Sequence, residues 1–276
     1  MLDVIDRILR RSQNAVSDIH PFINRKVRPI VHYYAQSWIW VARIIGSVRY
    51  DAPIDPMQIY FVDPRRIERT VTWTRVSADL KADEHPRFRP PNYRLAGRIF
   101  DGDWDLVTTS VSDSTINRSF VNHFKADVPW EETAFYMETF SAIEDGEEPW
   151  NCASRSDLDK RCEYLDELYD RIATEGYMTQ NELHEMGNPT TSRYRLYRVL
   201  WNEIAVNVGR NGELIFQDGR NRLAIAQILG LDEVPVVILV RHQKWQKVRD
   251  RIARRELDVS DMPENLRKHP DLVDLY

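Results

Sequence analysis

The chain has 276 residues, enough to bury one large core or two smaller ones, with 42% hydrophobic residues and a net charge of −5. Its two cysteines, Cys152 and Cys162, lack metal-ligand spacing, which argues against a disulfide framework and against a cysteine-rich zinc site. The sequence also lacks a Gly-x-x-x-x-Gly-Lys phosphate loop, a Gly-x-Gly-x-x-Gly dinucleotide turn, a His-Glu-x-x-His zinc helix, a Gly-x-Ser-x-Gly elbow and any solenoid repeat.

Residues 1–50 carry +5, leaving −10 for the remainder. Within this basic segment, residues 30–45 gather Tyr33, Tyr34, Trp38, Ile39, Trp40, Val41, Ile44 and Ile45, interrupted by His32, Gln36 and Arg43. A membrane span needs about 20 apolar residues, more than this stretch offers. An aromatic, arginine-flanked helix has three uses: packing on its own domain, which is the favoured reading, peripheral contact with a membrane surface, or a grip on nucleic-acid backbone. The first 25 residues have no uninterrupted apolar core of the secretory kind, so the expected residence is cytoplasmic.

Residues 58–62 read as a strand, and Asp63-Pro64-Arg65-Arg66-Ile67 as the turn or short helix that follows. The acidic run Asp101-Gly102-Asp103-Trp104-Asp105 is too short for an EF-hand loop and lacks its terminal glutamate. It reads instead as a hairpin turn with a packed tryptophan. Residues 114–125 and 130–143 have helical spacing, and Leu158, Cys162, Leu165, Leu168, Tyr169 and Ile172 mark one face of a longer helix that stops at Gly176. Thr179-Gln180-Asn181-Glu182 is a capping box for another helix.

The most informative stretch comes next. Residues 203–208 alternate like a strand, Arg210-Asn211-Gly212-Glu213 supplies a hairpin turn, and Leu214-Ile215-Phe216 is a second strand. Asp218-Gly219-Arg220-Asn221-Arg222-Leu223-Ala224 then joins that strand directly to an apolar helix ending at Gly230, and residues 234–240 form a strand buried on both faces. A helix start leaves backbone N–H groups unpaired and carries partial positive charge, while glycine lets an anion approach closely. Arg220 and Arg222 add forked donors suited to phosphate. The competing reading is purely structural: Asp218 caps the helix, Gly219 turns the chain and Arg222 pairs with a carboxylate.

With Gly219 and Arg222 in place, the run "DGRNRLAIAQILGLDEVPVVILV" resembles the ParB/sulfiredoxin-like superfamily, whose members carry a strand ending in a Gly-x-x-Arg helix start followed by a short valine-rich strand. The resemblance covers about a sixth of the chain. It implies an α+β fold: a small mixed-sheet core over residues 58–245, split by a mainly helical insertion at about 68–200. A basic helical segment (1–57) precedes it and a C-terminal helical tail (246–276) follows. In the family this turn contacts nucleotide phosphates in partition-type CTPases and free-serine kinases. The implied ligand is therefore a nucleotide or phosphorylated small molecule, with the role of magnesium open and phosphotransfer or nucleotide hydrolysis as the associated activities. The ligand-binding candidates are Gly219, Arg220, Asn221, Arg222 and His242, the last because it ends the strand after the motif, and the catalytic candidate is Asp218. Arg220 and Asn221 stand where partition proteins usually place glutamate and arginine, a departure from the metal-bridged CTP mode. The sulfiredoxin cysteine is also missing. The alternative function is a non-catalytic, DNA-associated protein of partition or regulatory type. If Gly219 only cradles phosphate, Gly219→Val should leave the ligand-free fold intact.

Overall fold

The structure is a computed structural model that describes residues 21–72, 92–188 and 191–276. The expected strand–hairpin–strand–helix–strand unit is its centre. Strands β5 (Ile204–Val208) and β6 (Leu214–Asp218) form an antiparallel hairpin, helix α8 (Arg220–Leu229) leaves from the end of β6, and β7 (Val234–His242) returns parallel to β5. Preceding them in chain order are α1 (Pro21–Arg49), β1 (Ile59–Val62), β2 (Arg69–Val71), α2 (Asn92–Leu95), β3 (Arg98–Phe100) and β4 (Thr108–Ser110). Then come α3 (Thr115–Ala126), α4 (Ala134–Glu144), α5 (Arg155–Glu175), α6 (Gln180–Glu185) and α7 (Arg195–Asn202), with α9 (Gln243–Ala253) and α10 (Glu264–Arg267) after β7.

Among the described residues the sheet is mixed and has seven strands in the order β1-β7-β5-β6-β2-β4, with β3 also on β7. All nine residues of β7 are buried, which explains its unbroken apolar run. Its first half pairs antiparallel with β1, its end parallel with β3, and its other edge with β5. Period-two alternation sorts side chains between the two faces. Ile204, Val206, Val208, Val236 and Ile238 pack on one face with Leu223 and Ala226 of α8, Trp245 and Ile252 of α9, and Leu272. Ala205, Val237 and Leu239 pack on the other face with α1, α2 and α7.

A third core, built by α3, α4 and α5, closes on Ala224 and Ile225 of α8. Helix α8 is apolar on most sides because it is wedged between the sheet and this helical layer. The helix ends follow the sequence signals. Ser154 caps α5, Thr179 and Glu182 make the reciprocal box of α6, and Gly230 closes α8 in the left-handed region.

The insertion differs from expectation in its first part. Residues 69–110 contribute β2, β3 and β4 to the sheet, and the purely helical portion begins only at Thr115. Strands of three residues are too short to show alternation, so the sequence does not announce them. The acidic run 101–105 is likewise not a hairpin turn, because β3 pairs with β7 and β4 with β2, not with each other. Trp104 is buried, as expected.

Residues 246–276 are part of the core rather than a tail. Arg241 in β7, wholly buried, bonds both oxygens of buried Asp271 at 2.8 and 2.6 Å, and Trp245 Nε1 donates to the same carboxylate at 2.8 Å. His269 Nε2 donates to Gly212 O at 2.8 Å and its Nδ1 accepts from Asp271 N at 3.1 Å. These bonds fasten the chain end to the sheet, and burial of Met262 and Leu272 completes the seam. At the opposite end of the chain, α1 buries Ala35 and Ile39 on the sheet and exposes Tyr33, Trp40, Ile44, Ile45 and Val48. Among the described residues no helix is long and apolar enough to cross a membrane. Residues 1–20 of the basic segment lie outside the described residues.

Candidate functional site at the first turn of helix α8

Gly219 is the hinge between β6 and α8, with φ +89°, a backbone region that L-residues rarely adopt. A Cβ there would stand 2.9 Å from Ile204 Cα and 3.3 Å from Glu203 O. The fold therefore needs glycine whatever binds nearby, and the expectation that Gly219→Val spares the ligand-free protein is corrected on that ground.

Gly219, not Asp218, occupies the N-cap position, and no side chain caps the helix. Asp218 Oδ1 accepts from Gly219 N at 2.9 Å and Oδ2 from Asn92 Nδ2 at 3.1 Å. Asn92 also donates to Leu200 O at 2.6 Å, so the side chain that opens α2 bonds both this carboxylate and the α7 backbone. Arg220 is half-buried and engaged. The Asn221 Oδ1 atom is buried without a hydrogen-bond partner.

Arg222 lies three residues into the helix start, where a lone cation opposes the helix dipole. It is half-buried and lines a small cleft of about 20 Å³ with Arg171 and Glu175 of α5, Tyr177, Gln180 and Leu183. Among the described residues no hydrogen bond or ion pair holds its guanidinium. The expected structural pairing of Arg222 with a surface carboxylate is thus not what the fold provides.

The acid whose ionisation the Arg222 charge favours is instead a buried one, which the sequence presents only as a strand residue. Glu203, fully buried at the start of β5, receives Gln180 N on Oε1 at 2.5 Å, while Oε2 has no partner. Burial pushes its pKa up to about 7, although the Gln180 N–H and the Arg222 charge both act to lower it. Tyr177 is similar. Its hydroxyl is buried without a partner, and desolvation raises its pKa, with Arg222 and Glu203 the next contributors. The sequence signal for Glu203 was its place next to the apolar residues of β5, which are all buried. Tyr177 gave none beyond following Gly176.

His242 is not brought to this turn. β7 runs parallel to β5, with Val236 level with Ile204, so His242 lies six residues farther along, about 20 Å from the turn at strand rise. There its Nε2 donates to Gly102 O at 2.9 Å and its Nδ1 accepts from Lys244 N at 3.0 Å, capping α9. Arg210, expected only as a hairpin-turn residue, holds the acidic run at the same end. Its guanidinium and backbone N–H both bond Asp105, and its Nη2 bonds Gly102 O and Asp103. Among the described residues no cluster of histidine, cysteine and acidic side chains has the form of a metal site.

Among the described residues, the turn thus offers an uncapped helix start, an arginine that no hydrogen bond or ion pair holds, and three buried polar groups, on Asn221, Glu203 and Tyr177, with unused hydrogen-bonding capacity. Comparison of the chain with protein-family models, with curated proteins and with solved structures finds no match in any of the three.

Proposed function

We propose that this is a ParB/sulfiredoxin-like protein that binds the phosphate group of a nucleotide or other phosphorylated small molecule at the first turn of α8. The observation that carries the reading is Arg222, a guanidinium without a hydrogen-bond or ion-pair partner among the described residues, at a helix start with no side-chain cap. An anion there relieves the conflict between Arg222 and the helix dipole and takes up the free N–H groups of the first turn. The superfamily reading is supported by the strand that leads into Gly219, the helix start that carries Arg222 and the valine-rich β7 that follows. Phosphotransfer or nucleotide hydrolysis is the activity to assay once a ligand is found, with Asp218 as the acid at the turn.

Thermal melting of the full chain with ATP, CTP, ADP, inorganic pyrophosphate and phosphorylated metabolites, each with and without magnesium, tests the reading. A ligand selective for the folded state raises the melting temperature, by about 2.7 kcal/mol of stability at a hundredfold excess over Kd. Arg222→Ala should leave ligand-free stability nearly unchanged and weaken binding by about 1.5–3 kcal/mol. A large loss of ligand-free stability with unchanged binding would assign Arg222 to the fold alone. Duplex DNA held at physiological salt, with no response to nucleotides, would refute the proposal in favour of a DNA-associated role.

A further inference from the structure

We infer that Glu203 and Tyr177 join Arg222 in one subsite for the phosphate group, and that Glu203 takes up a proton from solvent when the site fills. The inference rests on the phosphate reading of the α8 turn. Its grounds are geometric: Tyr177 and Arg222 line one cleft with Gln180, whose N–H bonds Glu203 Oε1, and Glu203 Oε2 and Tyr177 Oη are both buried without partners. Buried polar atoms are rarely left unpaired, and two unpaired atoms, one on the cleft wall at Tyr177 and one behind it on Glu203, call for a shared partner. That partner has to accept hydrogen bonds. A tyrosine hydroxyl, a guanidinium and a protonated carboxyl are three donors, a set that suits the oxygens of a phosphate and leaves a neutral hydroxyl under-satisfied.

The protonation follows from the charges that face Glu203. Arg222 of α8 favours its ionised form, while Glu182 of α6 and burial favour the neutral one. Tyr177, Arg171 and Glu175 complete the charged and titratable groups around the cleft. A phosphate placed on Arg222 adds negative charge beside the carboxyl and competes for the one cation that supports its ionised form. Binding therefore shifts Glu203 to the acid, which then donates to a phosphate oxygen. Below neutral pH the acid already carries its proton and binding needs none. Above it, each binding event draws one proton from solvent, and affinity declines.

The experiment uses the full chain with inorganic pyrophosphate as the probe. Calorimetry at pH 7.5 in two buffers of different ionisation enthalpy counts protons taken up on binding. Glu203→Gln, whose amide oxygen still accepts from Gln180 and whose NH₂ presents a donor to the cleft, subtracts the probe's own titration. The wild type should take up more protons than Glu203→Gln, by on the order of half a proton or more per site. Its affinity should also fall more steeply than that of Glu203→Gln, by up to about tenfold per pH unit above 7. Equal proton counts with intact pyrophosphate binding overturn the inference and leave the phosphate site standing. No binding of pyrophosphate or of any nucleotide to the wild type at any pH removes the phosphate reading and this inference with it. Tyr177→Phe gives a readout independent of Glu203: affinity should drop about two- to tenfold with melting of the free protein unchanged, and unchanged affinity overturns the shared subsite.

Discussion

Replacing Gly219 by alanine separates what the turn does for the fold from what it does for a ligand. Two costs add. Placing an L-residue at φ +89° costs about 1–2 kcal/mol. The new Cβ also stands 2.9 Å from Ile204 Cα, a backbone atom in the middle of the sheet that has no flexible side chain to move aside. Overpacking of this kind costs a further ~1–3 kcal/mol, so Gly219→Ala should lose about 2–5 kcal/mol without any ligand present. Gly230, at the other end of the same helix, is the internal control. Its φ is +67° but nothing lies within 4 Å of the place a methyl group would take, so Gly230→Ala should show the conformational cost alone. Urea unfolding of both variants, compared at equal slopes, measures the difference. Equal losses at the two positions, or a Gly219→Ala protein as stable as the parent, would refute the contact argument and restore Gly219 as a clean probe of the ligand.

Asp271→Ala strands the wholly buried Arg241 and should cost about 3–5 kcal/mol in unfolding, with a loss below about 1 kcal/mol counting against the seam. Burial acts to raise the pKa of Asp271, but Arg241 and Arg249 more than reverse this, so its stabilising contribution is present above the ordinary carboxylate range and disappears as pH falls through its lowered value. Two other groups pull against each other at mildly acid pH. Glu203 is raised from 4.5 to about 7, so its contribution is complete below 4.5 and is lost as pH rises to about 7; His269, held neutral chiefly by burial at about 4, makes stability fall as pH drops from 6.5 towards 4. The advantage of wild type over Glu203→Gln should therefore shrink by about 3 kcal/mol from pH 4.5 to 7, and that over His269→Gln should grow by about 3 kcal/mol from pH 4 to 6.5. Unfolding curves across this range check both, and parallel pH profiles for all three proteins would disprove the assignments.

Elements with local signals were legible in the order of residues alone. Residues 234–240 are apolar without a break because both faces of β7 are covered, Gly176 and Gly230 stop helices where the backbone turns to positive φ, and Thr179 with Glu182 writes a helix start in four letters. The turn at Gly219 was legible for the same reason. Its partners were not. Strands β2, β3 and β4 of three residues each carry no periodicity, and β2 and β3 join the sheet only by pairing with strands more than a hundred residues away. The parallel register of β5 and β7 sends His242 to the far end from the turn, and strand direction is not encoded in the strand itself. Tyr177 and Arg222 are separated along the chain and line one cleft only in the folded protein, and Glu203 reaches that cleft's wall only through its bond from Gln180 N. A buried carboxyl with an unused oxygen is a property of that enclosure, since burial, unlike helix spacing or a glycine stop, belongs to the neighbours that a residue acquires when the chain folds.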